Sequence, residues 1–178
     1  MSLICDNPPE VGEEEKKVLE EVAKTVIEGI MSAEENFVMG DFWPGNILLD
    51  SESDEIRRIF VIDWELAKPG LQGLDVGQFC AEVDLLRRFY PENKAVSSRI
   101  ISSFYRSYSS LDKSNGADSL YRTAVTHWGA HLVVWTPRVS WGGQDETRKV
   151  VKAGVDQIVN VDRDDGSFVQ KIFEEYKM

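Results

Sequence analysis

The position of three polar residues at the ends of short apolar runs most constrains the fold of this 178-residue chain. Asp41 follows the run at residues 37–40, and Asn46 comes after Asp41 with four residues between them. Asp63 ends the apolar run at residues 59–62. Apolar runs bounded by Gly, Pro and Asp are typical of short strands that end in loops. We therefore expect a small β layer that brings Asp41, Asn46 and Asp63 into one cleft, with their side chains within about 10 Å of each other.

These residue types at this spacing indicate phosphoryl transfer to a hydroxyl. That reaction needs a carboxylate to accept the hydroxyl proton and oxygen ligands to hold Mg²⁺ on nucleotide phosphates. Kinases place an Asp, four residues, an Asn and then a later Asp in this order. Asp41 is therefore the candidate general base, and Asn46 and Asp63 are the candidate Mg²⁺ ligands. The alternative is local: Asp41 and Asp63 cap turns after strands, and Asn46 is a turn residue after Gly45.

Three short motifs follow one another in this part of the chain. They are Met-Gly-Asp-Phe-Trp-Pro-Gly-Asn at residues 39–46, Ile-Asp-Trp-Glu at residues 62–65 and Leu-Asp-Val-Gly at residues 74–77. In order and wording they resemble the aminoglycoside phosphotransferase and choline kinase-like family. The resemblance implies the C-terminal lobe of a protein-kinase-like fold, with ATP and Mg²⁺ as cofactors. It also implies that Asp75 supports the catalytic loop through backbone amides, although Asp75 is equally suited to capping a helix.

The chain departs from the family pattern in two ways. Met39 stands where the family usually has His, and Met cannot join a hydrogen-bond network as His does, so we expect a less rigid loop. Only 40 residues precede Asp41, and Glu13 to Glu35 among them read as one helix. No Gly-rich loop and no strand with a phosphate-pairing Lys is evident there. We therefore expect a single domain at residues 1–178 that lacks the nucleotide-clamping N-terminal lobe and is impaired as an isolated chain.

The remaining sequence predicts an α+β fold that is mostly helical. Strands are predicted at residues 37–39, 46–49 and 58–62, with a polar turn at residues 51–55. Apolar residues recur at helical spacing through most other segments. Helices are expected at residues 13–35, 75–89, 94–109, 118–136, 145–161 and 167–176, with loops at residues 69–73 and 112–116.

The amino-acid composition limits which classes of partner and which cellular compartment are expected for this chain. The formal net charge of −11 argues against nucleic acid and is compatible with a cationic small-molecule substrate, although acidic surfaces also serve solubility. No apolar run approaches the length of a membrane span, and the first ten residues lack the pattern of a signal peptide. Cys5 and Cys80 make no disulfide framework, and Cys80 lies on an apolar helix face. We therefore predict a cytoplasmic protein.

A pair of histidines offers a second candidate site. His127 and His131 lie four residues apart on a predicted helix and therefore share a face. A zinc-protease helix carries Glu directly after the first His, whereas Trp128 stands there. Because the sequence indicates no third ligand, metal binding by this pair is not favoured.

Three functional hypotheses follow. The first is a lobe of an ATP-dependent phosphotransferase that acts on a hydroxyl of a small metabolite. The second is a pseudoenzyme or binding module that keeps this lobe, has lost the N-terminal lobe, and binds a metabolite or a protein partner. An exposed apolar patch where the N-terminal lobe once packed would favour a homo-oligomer. The third, a metal-dependent hydrolase, is weaker because no His-rich ligand set accompanies the carboxylates.

Overall fold

The computed structural model describes residues 9–34, 36–53, 55–111, 117–164, 167–174 and 176. Short 3₁₀ turns lie at Pro44–Asn46, Trp64–Leu66, Pro91–Asn93 and Thr136–Arg138. The expected α+β fold with mostly helical content is confirmed, whereas its kinship to a kinase C-terminal lobe stays a prediction. In chain order, the elements of the described part are α1 (Glu13–Ser32), β1 (Phe37–Val38), β2 (Ile47–Glu52), β3 (Glu55–Val61), β4 (Lys68–Pro69), α2 (Gly73–Phe89), α3 (Lys94–Leu111), α4 (Ala117–Trp135), α5 (Gln144–Arg163) and α6 (Ser167–Glu174).

Helices α2, α4 and α5 form the centre of the helical body. A Cβ added at Gly77 on α2 would lie 2.4 Å from the Ala124 carbonyl oxygen on α4. A Cβ added at Gly129 on α4 would lie 2.9 Å from the Gly154 carbonyl oxygen on α5. The absence of a side chain at these positions therefore allows the helix backbones to approach closely. The buried core around them includes Val76, Cys80, Leu85, Ile101, Val125, Trp128, Leu132 and Phe173.

The strands form two separate antiparallel pairs. β1 pairs with β4, and β2 pairs with β3 in a hairpin whose register runs from Ile47 opposite Val61 to Glu52 opposite Glu55. The predicted polar turn at residues 51–55 is therefore too long, because both strands extend into it. β4 was not predicted, since Lys and Pro carry little strand signal and Pro cannot donate to a ladder.

The helix ends differ in part from the prediction. α1 ends at Ser32, three residues before the predicted end at residue 35. α2 begins at Gly73, so Asp75 lies inside the first turn, and the prediction that it caps this helix is wrong. Cys80 is a buried free thiol, as expected, and burial raises its pKa. Cys5 and the predicted loop at residues 112–116 lie outside the described residues.

The β2–β3 hairpin presents a large apolar surface. The side chains of Leu48, Leu49, Ile56, Ile59 and Phe60 are each 45% to 62% exposed, and we call these five residues the hairpin surface. No residue of helix α1 is fully buried, but its apolar positions Val18, Val22, Val26 and Ile30 are half-buried. Among the helices that the structure describes, none combines the length and the apolar character needed to cross a bilayer.

Candidate active site

The loop at residues 39–46 is fastened to helix α2 by its backbone. The Asp75 carboxylate accepts the Met39 N–H at 2.7 Å and the Gly40 N–H at 3.0 Å. Gly40 has φ +83°, and a Cβ there would lie 2.7 Å from the Leu66 carbonyl oxygen, so both backbone angle and space call for glycine. Asp75 therefore holds the backbone of this loop at two amides, while its role in supporting a catalytic loop stays a prediction.

Asp41 and Asn46 lie in direct contact. The Asn46 Nδ2 group donates to the Asp41 carbonyl oxygen at 3.0 Å and to Asp41 Oδ2 at 3.1 Å. Asn46 is buried and Asp41 is half-buried. Because a side-chain amide has two N–H donors and one oxygen, this arrangement commits both donors to Asp41 and leaves Asn46 Oδ1 as the acceptor atom of the group.

Gln78 is a member of the site that sequence reasoning missed. Its Nε2 donates to Asp41 Oδ1 at 2.8 Å from one turn further along α2 than Asp75. Each oxygen of the Asp41 carboxylate therefore accepts one side-chain amide hydrogen bond. The available sequence signal was the spacing of three between Asp75 and Gln78, which places both on one helix face.

Asp63 reaches the same region from the end of β3. The Ile62 N–H donates to the Asn46 carbonyl oxygen at 3.0 Å, which places the residue before Asp63 against the 39–46 loop. Asp63 is exposed, and its backbone adopts the left-handed helical conformation with φ 68° and ψ 56°. This conformation costs a non-glycine residue roughly 1–2 kcal/mol, and such outliers cluster at functional sites. The next residue is braced, because Trp64 Nε1 donates to the Val61 carbonyl oxygen at 2.8 Å.

A cavity of about 270 Å³ lies beside the 39–46 loop. Met39 is 3% exposed and lines this cavity. The aromatic residues in the lining of the cavity are Phe37, Phe42, Trp64, Phe104 and Tyr108. Such a lining suits a flat apolar ring, because aromatic rings attract each other in offset-stacked and edge-to-face arrangements.

The two histidines serve the packing of α4. His131 Nε2 lies 2.7 Å from Glu82 Oε1 on α2, and His131 is buried. Burial, and then the charge of His131, lower the pKa of His127 to about 4. Within the described ranges, no group of three or more His, Cys, Asp or Glu side chains is placed to hold a metal ion.

Comparison with known proteins places the chain beside kinases that act on a small molecule. Two relatives are named 4-hydroxytryptamine kinase. The protein from Psilocybe cyanescens is 36% identical over 149 residues, which cover 83% of this chain and 40% of the relative. The protein from Psilocybe cubensis is 34% identical over 141 residues, which cover 78% of this chain and 38% of the relative. The chain thus spans about two fifths of the length of these curated relatives.

No family model matches the sequence. The narrower assignment to the aminoglycoside phosphotransferase and choline kinase-like family therefore stays a prediction. The roles of Asp41, Asn46, Asp63 and Asp75 also stay predictions.

Proposed function

We propose that this chain carries the catalytic loop of an ATP-dependent kinase that phosphorylates a hydroxyl of a small metabolite. The observation that carries the proposal is the hydrogen-bonded pair of Asp41 and Asn46, on a loop that Asp75 holds against α2. The similarity to two small-molecule kinases supports the same reaction class.

In this proposal Asp41 accepts the proton of the acceptor hydroxyl. Each of its carboxylate oxygens accepts one amide hydrogen bond, and each keeps a further lone pair for the incoming hydroxyl. Positioned general bases of this kind contribute roughly 10²–10⁴-fold to rate. The half-buried setting of Asp41 keeps the carboxylate accessible to a substrate.

Asn46 Oδ1 and the Asp63 carboxylate would hold Mg²⁺. Amide and carboxylate oxygens suit this hard cation, and Asn46 Oδ1 remains as a ligand atom because Nδ2 is committed to Asp41. When bound, the ion would neutralise charge on the nucleotide phosphates. Asp63 would contribute the negative charge, and its exposed position leaves it open to a ligand.

The acceptor that we propose is a small amine with a hydroxyl on an aromatic ring. The cavity beside the 39–46 loop is lined mainly by aromatic rings, which favours a flat ring system. The net charge of −11 favours a cationic amine over an anionic metabolite. The relatives' name, 4-hydroxytryptamine kinase, describes a compound of this class.

We also propose that the 178-residue chain turns over slowly by itself. It spans about two fifths of the relatives' length, so in this proposal it would supply only part of the residues that clamp ATP. Holding the reactants in line can lower a reaction barrier by about 7–11 kcal/mol, so incomplete binding of ATP should slow the reaction strongly.

The test is a transfer assay with radiolabelled ATP, Mg²⁺ and 4-hydroxytryptamine, at long incubation and high enzyme concentration. We expect slow formation of labelled product, reduced roughly 10²–10⁴-fold by Asp41→Asn. Asp50→Asn is the matched control, since it makes the same chemical change in an exposed ion pair with Arg58. Product formation that is equal in the wild-type chain and Asp41→Asn would refute the proposal.

A second candidate function is a non-catalytic module that associates with a second copy of itself. The hairpin surface favours it, because exposed apolar side chains that cluster on one element commonly mark an interaction site. Sedimentation velocity distinguishes this candidate. It predicts a dimer that Phe60→Lys converts to a monomer, whereas a monomer at all concentrations would exclude it.

A further inference from the structure

Gln78 ties the side chain of Asp41 to the helical body. Its Nε2 donates to Asp41 Oδ1 at 2.8 Å, while Asn46 Nδ2 donates to Oδ2 at 3.1 Å. We infer that Gln78 is a positioning residue that fixes the direction in which the Asp41 carboxylate faces. Its effect on turnover rests on the proposed function, whereas its effect on the orientation of Asp41 does not.

Helix α2 holds the 39–46 loop at two points of one face. Asp75 accepts two backbone N–H groups of the loop, and Gln78, three residues further along, binds the carboxylate. Anchoring the backbone alone would leave the side-chain torsions of Asp41 free to choose among rotamers. The Gln78 contact restricts these torsions of Asp41, and it does so from helix α2, which lies outside the loop.

This arrangement determines which lone pairs remain for a substrate. With one amide on each oxygen, the carboxylate keeps one lone pair per oxygen, and their directions are set by Gln78 and Asn46. A misplacement of about 1 Å in a reacting group can cost roughly 10²-fold in rate. Loss of the Gln78 donor should therefore act on the chemical step more than on binding.

The first experiment measures placement and needs no turnover. Side-chain amide signals of the 20.2 kDa chain are compared by NMR between wild type and Asp41→Asn at one fixed pH. We expect the Gln78 amide signals to shift in Asp41→Asn, because Nε2 loses its charged acceptor. Gln157 is the matched control, because its Nε2 donates at 2.8 Å to the Val125 carbonyl oxygen, which this substitution leaves in place. Gln78 signals that ignore Asp41→Asn would overturn the inference.

The second experiment measures rate with ATP, Mg²⁺ and 4-hydroxytryptamine. We expect Gln78→Leu to lower kcat roughly 10- to 100-fold with the KM for ATP within about twofold. Gln157→Leu, the same substitution in the helical body, should keep the wild-type kcat even if it unfolds at a lower temperature. Gln78→Leu with wild-type kcat would overturn the inference even if the NMR contact is present.

A third variant separates positioning from a merely structural role. In Gln78→Glu, a carboxyl group at position 78 can donate to Asp41 only when protonated, because an ionised carboxylate has no hydrogen to donate. Two adjacent carboxylates also repel each other. We therefore expect its kcat, relative to wild type, to recover as the pH is lowered, while the Gln78→Leu deficit stays the same. A Gln78→Glu deficit that is independent of pH counts against positioning.

The outcomes also separate this inference from the proposed function. If the wild-type chain shows no turnover but the Gln78 amide signals shift in Asp41→Asn, the positioning of Asp41 is supported and the kinase proposal fails. If turnover depends on Asp41 but neither the Gln78 amide nor kcat responds as expected, the kinase proposal survives and the inference about Gln78 fails.

Discussion

Replacing Asp75 by Asn should loosen the 39–46 loop by an amount that follows from two hydrogen bonds. The carboxylate accepts the Met39 N–H at 2.7 Å and the Gly40 N–H at 3.0 Å. A hydrogen bond to a charged group contributes about 1.5–3 kcal/mol. Asp75→Asn keeps the shape and one acceptor oxygen but sets an NH₂ group against the other backbone donor. The variant therefore loses one bond and the charge on the second, for an expected cost of about 1.5–3 kcal/mol.

Urea denaturation measures the global part of that cost, and amide hydrogen exchange measures the local part. Since about 1.4 kcal/mol corresponds to a tenfold change, exchange at Met39 and Gly40 should accelerate roughly 10- to 150-fold where local opening governs it. Asp50→Asn is the control, because the exposed Asp50–Arg58 pair should contribute at most about 1 kcal/mol. Asp75→Asn with the stability of wild type and unchanged exchange at both amides would refute this reasoning.

Three further perturbations test the helical body. Asp84 is fully buried among two arginines and a tyrosine hydroxyl. Asp84→Ala should lower the free energy of unfolding, measured by urea denaturation, by about 3–5 kcal/mol, because both cations lose their partner. His127 has its pKa lowered to about 4, so its neutral form stabilises the fold above pH about 6.5, and this contribution of up to about 3 kcal/mol is lost as the pH falls towards 4. The difference in stability between wild type and His127→Gln should therefore shrink over that range, and a constant difference would contradict the assignment. Gly77→Ala should destabilise by about 1–3 kcal/mol, because its Cβ would lie 2.4 Å from the Ala124 carbonyl oxygen, and an unchanged melting temperature would contradict that contact.

The local part of the site could be predicted from sequence. Asp41 and Asn46 lie on one short loop, so their spacing restricts how far apart they can lie, and the structure joins them by hydrogen bonds. The support of the loop by Asp75 came from the family resemblance, and the structure contains the two backbone contacts that it implied. The competing prediction that Asp75 caps α2 is wrong, because the helix begins earlier at Gly73, where the missing side chain lets it pack against Leu120 and Ala124.

The non-local part of the site could not be predicted in this way. Gln78 contacts a residue 37 positions away, and no spacing rule selects one glutamine on a helix face for such a contact. β4 exists only because Lys68 and Pro69 meet β1 across the chain, since neither residue favours a strand by itself.

We propose that Asp41, Asn46 and Asp63 form one centre for metal and nucleotide, and paramagnetic NMR with Mn²⁺ and ATP tests this proposal most directly. Mn²⁺ takes oxygen ligands as Mg²⁺ does and broadens the signals of nearby nuclei. The account predicts that Mn²⁺ with ATP at millimolar concentration broadens the side-chain amide signals of Asn46 and leaves those of Gln157 sharp. It also predicts that Asp63→Ala removes the effect. Sharp Asn46 signals at saturating Mn²⁺ and ATP, or broadening that persists in Asp63→Ala, would contradict the account.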